Sequence, residues 1–301
     1  DGEFDYAWGI AVDGSGSVFV VEYGNHRVQK FDSTGAHLVT WGSRGSSDGR
    51  FTYPANAAVD ASGNLYVADQ YNDRVQKFDN DGNFLTKWGT EGTGDGQFSD
   101  PLGVGVDSSG NVYVADTRNN RIQKFDSSGN FLRKWGTEGS GDGDLDGPYD
   151  VCVDASGNAY VADRYNHRIQ KFDSSGNYVS QWGGRGDGNG EFYFPQSIEL
   201  DSSGNVVVTD TYNHLIQRFD SSGNFLDQWG GQGSGAGDFY YPWGVALDAS
   251  DNIYVTEMNN DRVQKFVWGA GSAAGDSLAV TMSEEGEPAA LDMTMYVSDG
   301  D

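Results

Sequence analysis

Apolar residues along this chain come in short runs. Stretches of four to six residues rich in Val, Ile, Tyr, Phe and Trp are separated by segments of Asp, Ser, Gly and Asn. Runs of that length suit strands, and the SSGN-type segments supply the Gly and Asn that hairpin turns with positive φ require. In one stretch, GVGVD, VYVAD, RIQKF and FLRKW are four such runs, divided by SSGN, TRNN and DSSGN and followed by the loop TEGSGDGDLDG. The pattern predicts a four-stranded antiparallel meander and leaves no segment for a helix.

The same meander recurs with a fixed period. Asp13, Asp60, Asp107, Asp154, Asp201 and Asp248 each precede a turn and lie 47 residues apart. Trp41, Trp88, Trp135, Trp182 and Trp229 keep that spacing, as do Pro54, Pro101, Pro148, Pro195 and Pro242. One meander alone cannot bury both of its faces. Units of equal length packed sheet on sheet in a ring cover one another and leave no long free edge.

At the second hairpin the units read Asn25-His26-Arg27, Asn72-Asp73-Arg74, Asn119-Asn120-Arg121, Asn166-His167-Arg168, Asn213-His214-Leu215 and Asn260-Asp261-Arg262. With YVAD before it and IQKFD after it, this resembles the NHL repeat family over residues 4 to about 266. The resemblance implies an all-β, six-bladed β-propeller of four-stranded blades. It implies no single activity, since such propellers serve as RNA binders, protein-binding domains, receptor sensors and a few lyases. It also implies that the long loop before each Pro and the Asn-His-Arg hairpin share one face, the top.

The propeller is expected over residues 1–268 and an acidic tail over 269–301. The sixth unit supplies three strands and then leaves the pattern after Val267-Trp268-Gly269. The missing outer strand is expected from Leu278 to Met282, because an unpaired edge invites association. The rivals are a segment upstream of Asp1, or self-association by strand addition from the tail.

Charge narrows the partners. With 45 acidic residues against 19 Lys plus Arg, the net charge of -26 repels phosphate backbones and disfavours nucleic acid. Cys152 is the single cysteine, so no intrachain disulfide forms, and its neighbours Val151 and Val153 suggest a buried thiol. No apolar run approaches the ~20 residues of a membrane-spanning helix. The chain begins at Asp1 without Met, as a processed protein or an excised fragment does, and an extracytoplasmic or secreted setting is expected.

Besides the acid–Arg pairs of the hairpins, four groups of residues are candidates for chemistry. His26, His167 and His214 occupy equivalent hairpins, too far apart to meet on one metal, and are expected to bond local backbone; His37 is expected to face solvent. Arg27, Arg74, Arg121, Arg168 and Arg262 each follow an acidic strand end, Glu22, Asp69, Asp116, Asp163 and Glu257, which predicts a repeated ion pair. Leu215 leaves Asp210 without that partner. In the long loops, Asp142, Asp144 and Asp146 are the best cluster for calcium, the one cofactor considered. On the inner strands, Asn56, Asp150 and Glu199 are the polar residues able to face the channel and would serve a divalent-metal-dependent lyase or hydrolase.

The fourth group is aromatic. The position after each periodic Pro, or after Ala7 where it replaces Pro in the first unit, varies as Trp8, Ala55, Leu102, Tyr149, Gln196 and Trp243, and nearby loops add Tyr53, Tyr193, Phe194, Tyr240 and Tyr241. A position that varies in a near-identical repeat is where a binding surface is written. The expected function is non-enzymatic recognition or scaffolding, with a protein or glycan bound at the top face around Trp8, Tyr149, Tyr240, Tyr241 and Trp243. Blades six and one are neighbours in a ring, so Trp8 and Trp243 should meet, either to stack on a sugar ring or to plug the channel.

Overall fold

The computed structural model describes residues 2–268 and 277–282. They form six four-stranded antiparallel sheets, each in chain order from the innermost to the outermost strand. Blade one comprises Ala7–Val12, Val18–Glu22, Arg27–Phe31 and His37–Trp41. Among the described residues helix is confined to four single 3-10 turns, Gln70–Asn72, Thr117–Asn119, Arg164–Asn166 and Thr211–Asn213, within the second hairpins. Among the described residues no helix is long and apolar enough to cross a membrane.

The turn chemistry repeats with the period. Asp13 Oδ1 accepts hydrogen bonds from the backbone N–H groups of Ser15 and Ser17, each at 2.9 Å, and Gly16 takes a φ of +84°. An Asp side chain that folds onto its own backbone this way sets a tight hairpin. A second glycine type closes the outer strand: Gly89 has a φ of +105°, and a Cβ there would sit 2.6 Å from the Phe98 ring. Any other residue would push that core ring out of the blade.

The core lies between blades, not within them. Phe19, Val21 and Val28 of blade one pack with Leu65, Val67 and Phe78 of blade two, and equivalent clusters fill the other seams. The ring closes where Val18, Val20 and Phe31 meet Ala246, Tyr254 and Val263. At the perimeter, the indoles of Trp41, Trp88, Trp135 and Trp182 cover the turn glycines of the next blade, Gly82, Gly129, Gly176 and Gly223.

Blade six departs from this plan. Its first three strands are Pro242–Leu247, Ile253–Glu257 and Arg262–Trp268, and its fourth is Ser277–Met282, paired antiparallel with Val263 opposite Met282. The outer strands of blades one to five carry a bulge near the Phe of the third strand, such as that between Lys77 and Phe78. The tail strand pairs without one, from Val263–Met282 to Trp268–Ser277.

Candidate functional site

The top face is held by two repeated devices. In the first, the acid ending each second strand is buried and collects donors. Asp163 Oδ2 accepts from Arg168 Nε at 2.7 Å, Asn166 Nδ2 at 2.9 Å and Gln170 Nε2 at 3.0 Å, while Oδ1 accepts from the Asp146 N–H at 2.8 Å. Arg168 continues to the carbonyls of Ser140, Gly141 and Asp144, pinning the loop that enters the blade. The predicted ion pairs are present at Glu22–Arg27, Asp69–Arg74, Asp116–Arg121, Asp163–Arg168 and Glu257–Arg262. Among the described residues Asp210 keeps only Tyr193 N–H, Asn213 and Gln217, and burial pushes its carboxyl up to about 6.

In the second device, the residue at each hairpin tip reaches the following blade. His26, His167 and His214 accept through Nδ1 from the N–H groups of Tyr53, Phe194 and Tyr241, at 2.9, 3.1 and 3.1 Å. Asp73, Asn120 and Asp261 make the same bond to Asp100, Gly147 and Tyr6. The expected local backbone bond is therefore a clasp across a seam, 27 residues away for the three histidines. Burial lowers the pKa of all three histidines and so favours the neutral ring that this acceptor role needs. His37 also differs from expectation: it is half-buried, with its ring edge-on to Phe31 and a nitrogen 2.7 Å from Thr40 Oγ1.

The varying position after the periodic Pro forms a ring around the channel mouth. Trp8, Ala55, Leu102, Tyr149, Gln196 and Trp243 line a cavity of about 240 Å³, counted with its solvent-open part, and Asn56, Asp150, Ser197 and Gly244 complete its wall. Both layers face the cavity because the inner strands are bulged there, as between Ala7 and Gly9. Trp8 stacks on Tyr23 at 3.8 Å and on Trp243 at 4.8 Å, and Trp243 meets Tyr149 edge-on at 6.0 Å. Trp8 is thus stacked against two rings of the protein itself.

Beneath the aromatic layer, Asp150 is saturated with donors. It accepts from Val151 N–H at 2.9 Å, Ser197 Oγ at 2.7 Å, Ile198 N–H at 3.2 Å and the Asn56 side chain, yet burial still raises its pKa to about 6. Glu199 lies further along the blade-five strand, outside the cavity wall. Burial first, and then the nearby Asp150 charge, raise its pKa to about 7. Asn56 and Asp150 meet as the sequence suggested; Glu199 does not join them as a ligand set. Nor does the loop group converge: Asp144 accepts from Thr137, Asp142 from Gln181, and Asp146 offers its N–H to Asp163. Among the described residues no three His, Cys, Asp or Glu side chains are grouped to hold a metal ion. Cys152 is buried, and burial pushes its thiol well up.

Tyr240 and Tyr241 stand on the rim rather than in the cavity, Tyr240 stacked on the His214 ring at 5.6 Å and Tyr241 packed against Tyr212 at 5.2 Å. The residue that sequence reasoning passed over is Gln196. It is 1% exposed, and neither its Oε1 nor its Nε2 has a hydrogen-bond partner among the described residues. A buried unmet donor or acceptor costs about 1–3 kcal/mol. The available signal was a lone amide in a position otherwise filled by Trp, Tyr, Leu and Ala.

Known structures share the architecture. A streptogramin B lyase structure aligns with a TM-score of 0.65 and 14% identity, over 95% of this chain and 85% of its own. Virginiamycin B lyase from Staphylococcus aureus aligns at 0.61 and 14% identity, over 87% and 81%. A chain of a nidogen/laminin complex aligns at 0.58 and 16% identity, over 80% and 84%. At these identities the likeness is one of fold. A search of curated proteins found no matching sequence. The NHL repeat model matches residues 4–31, 51–78, 98–125, 145–172, 192–219 and 239–266, one match for each blade. With six matches in register around a closed ring, the chain belongs to the NHL repeat family.

Proposed function

We propose that this chain is a non-enzymatic recognition propeller whose top face receives a protein partner. The observation that carries the reading is an aromatic rim confined to that face. Tyr71, Tyr165 and Tyr212, at equivalent hairpins, are 47%, 50% and 38% exposed, and their rings rest on Tyr53, Phe194 and Tyr241 of the neighbouring loops. Tyrosines held by packing offer large contact area at little entropic cost, and they are enriched where proteins bind. A glycan reading loses its main support once both neighbours of the Trp8 ring are protein.

The metal-dependent lyase reading needs free carboxylate lone pairs. Asp150 has none to spare, since four donors already claim its two oxygens. Photocrosslinkers placed at Tyr165 and at Leu132 on the outer perimeter test the proposal. The same protein should be captured repeatedly through position 165 and not through 132. Equal capture at both positions, or stoichiometric metal in the channel with turnover of a small substrate, would overturn it.

A further inference from the structure

We propose that the channel mouth is a socket for one carboxamide group, presented by an Asn or Gln side chain of the protein partner. This deepens the reading above and rests on it for the source of the group. The juxtaposition that carries it is the orphaned Gln196 amide, 1% exposed, in the wall of a cavity also lined by Trp8, Tyr149 and Trp243. Of the other polar groups in the wall, Ser197 Oγ donates to Asp150 and Asn56 bonds the same carboxylate, while the Trp8 Nε1–H, a donor alone, is unmet like Gln196 among the described residues. Only the Gln196 amide is left with a donor and an acceptor side by side in one plane.

The complement of that group is another carboxamide. Two amides face to face exchange two N–H···O bonds and leave neither end of Gln196 unmet. An ammonium has donors only and would leave Nε2 orphaned; a carboxylate has acceptors only and would leave Oε1 orphaned. The cavity as it stands has room for about one water, so a carboxamide must widen it on entry.

Trp8 and Trp243 line this cavity, so their indole N–H signals in an NMR spectrum report on entry. The probes are propionamide, propionate, propylammonium and ethylene glycol. Propionamide should shift both signals saturably, and Gln196→Leu should weaken it by about tenfold while keeping the fold's spectrum. Gln196→Met, closer in shape, gives the same answer should the Leu variant unfold. Equal saturation by propionate, propylammonium or glycol overturns the proposal, as does propionamide binding that survives loss of the amide. So does a crystal structure in propionamide with only an ordered water bonded to Gln196. Probe binding needs no partner, so inert probes with intact crosslinking through position 165 sink the socket alone. Saturable propionamide without a captured protein sinks the partner reading and leaves a small-amide site.

Discussion

Blades four and five carry the same buried acid 47 residues apart, Asp163 and Asp210, each 0% exposed, and treat it differently. In blade four Arg168 neutralises the charge and ties down three carbonyls of the entering loop. In blade five Leu215 does neither, and the Gly186 and Glu191 carbonyls of the entering loop are held by Asn213 at 2.8 Å and Gln217 at 2.6 Å. The folds of the two hairpins are nonetheless the same, down to the left-handed His167 and His214 at φ of +55° and +61°. Backbone geometry is thus set by the turn and the seam, while the ion pair decides at what pH the acid is tolerated.

The sharpest way to break the comparison is Arg168→Leu, which imposes the blade-five pair on blade four. Removing one partner of a buried pair typically costs about 3–5 kcal/mol, and urea unfolding at neutral pH should show a loss in that range. Leu215→Arg is the reverse experiment. A carboxyl raised from near 3.9 to about 6 when folded carries a penalty of roughly 3 kcal/mol once ionised, and the new Arg should recover much of it near pH 7.5.

The wild-type pH profile follows from the same sign. The unfolded Asp ionises near pH 4 and the folded Asp210 near pH 6, so folding takes up a proton between those values. Stability from this group is fully present below about pH 4 and is lost as pH rises through 6. Asp150 and Glu199, raised to about 6 and 7, act in the same direction. The three clasp histidines, lowered by burial, oppose this as pH falls below about 6.5, so the test is differential: Leu215→Arg should raise the melting temperature more at pH 7.5 than at pH 5. The smallest effect is expected for His214→Asn, since Asn120 makes the same clasp to Gly147 at 2.8 Å. Its stability should stay within about 0.5 kcal/mol of wild type.

Much of this architecture is legible in the sequence because each local signal repeats without insertion. The Asp-Gly turns, the acid–Arg pairs and the meeting of Trp8 with Trp243 follow from spacing and ring adjacency alone. The clasp from His167 to the Phe194 N–H is not legible, because nothing local shows that the following loop turns back onto the hairpin. Period-two alternation also misleads at the mouth. It would turn Tyr149 and Asp150 to opposite sides, but the strand is bulged between Pro148 and Asp150, and both line the cavity. Gln196 escapes notice for a different reason, since an orphaned amide is a property of what surrounds it.

The seam between blades six and one has a kinetic consequence. Every other seam joins units 47 residues apart, whereas Trp8 and Trp243 are separated by 235 (243 − 8). Closing the longer loop costs about 1.4 kcal/mol more on a logarithmic scale, and none of it is repaid until the last blade has formed. Strand pairing within blades is local and fast by comparison. The bonds from Thr256 Oγ1 to the Trp8 carbonyl, at 2.8 Å, and from the Tyr6 N–H to Asp261, at 3.1 Å, can only appear at the end. Stacking of Trp8 on Trp243 is therefore a built-in chronometer: during refolding its signal marks the moment an open arc of blades becomes a ring.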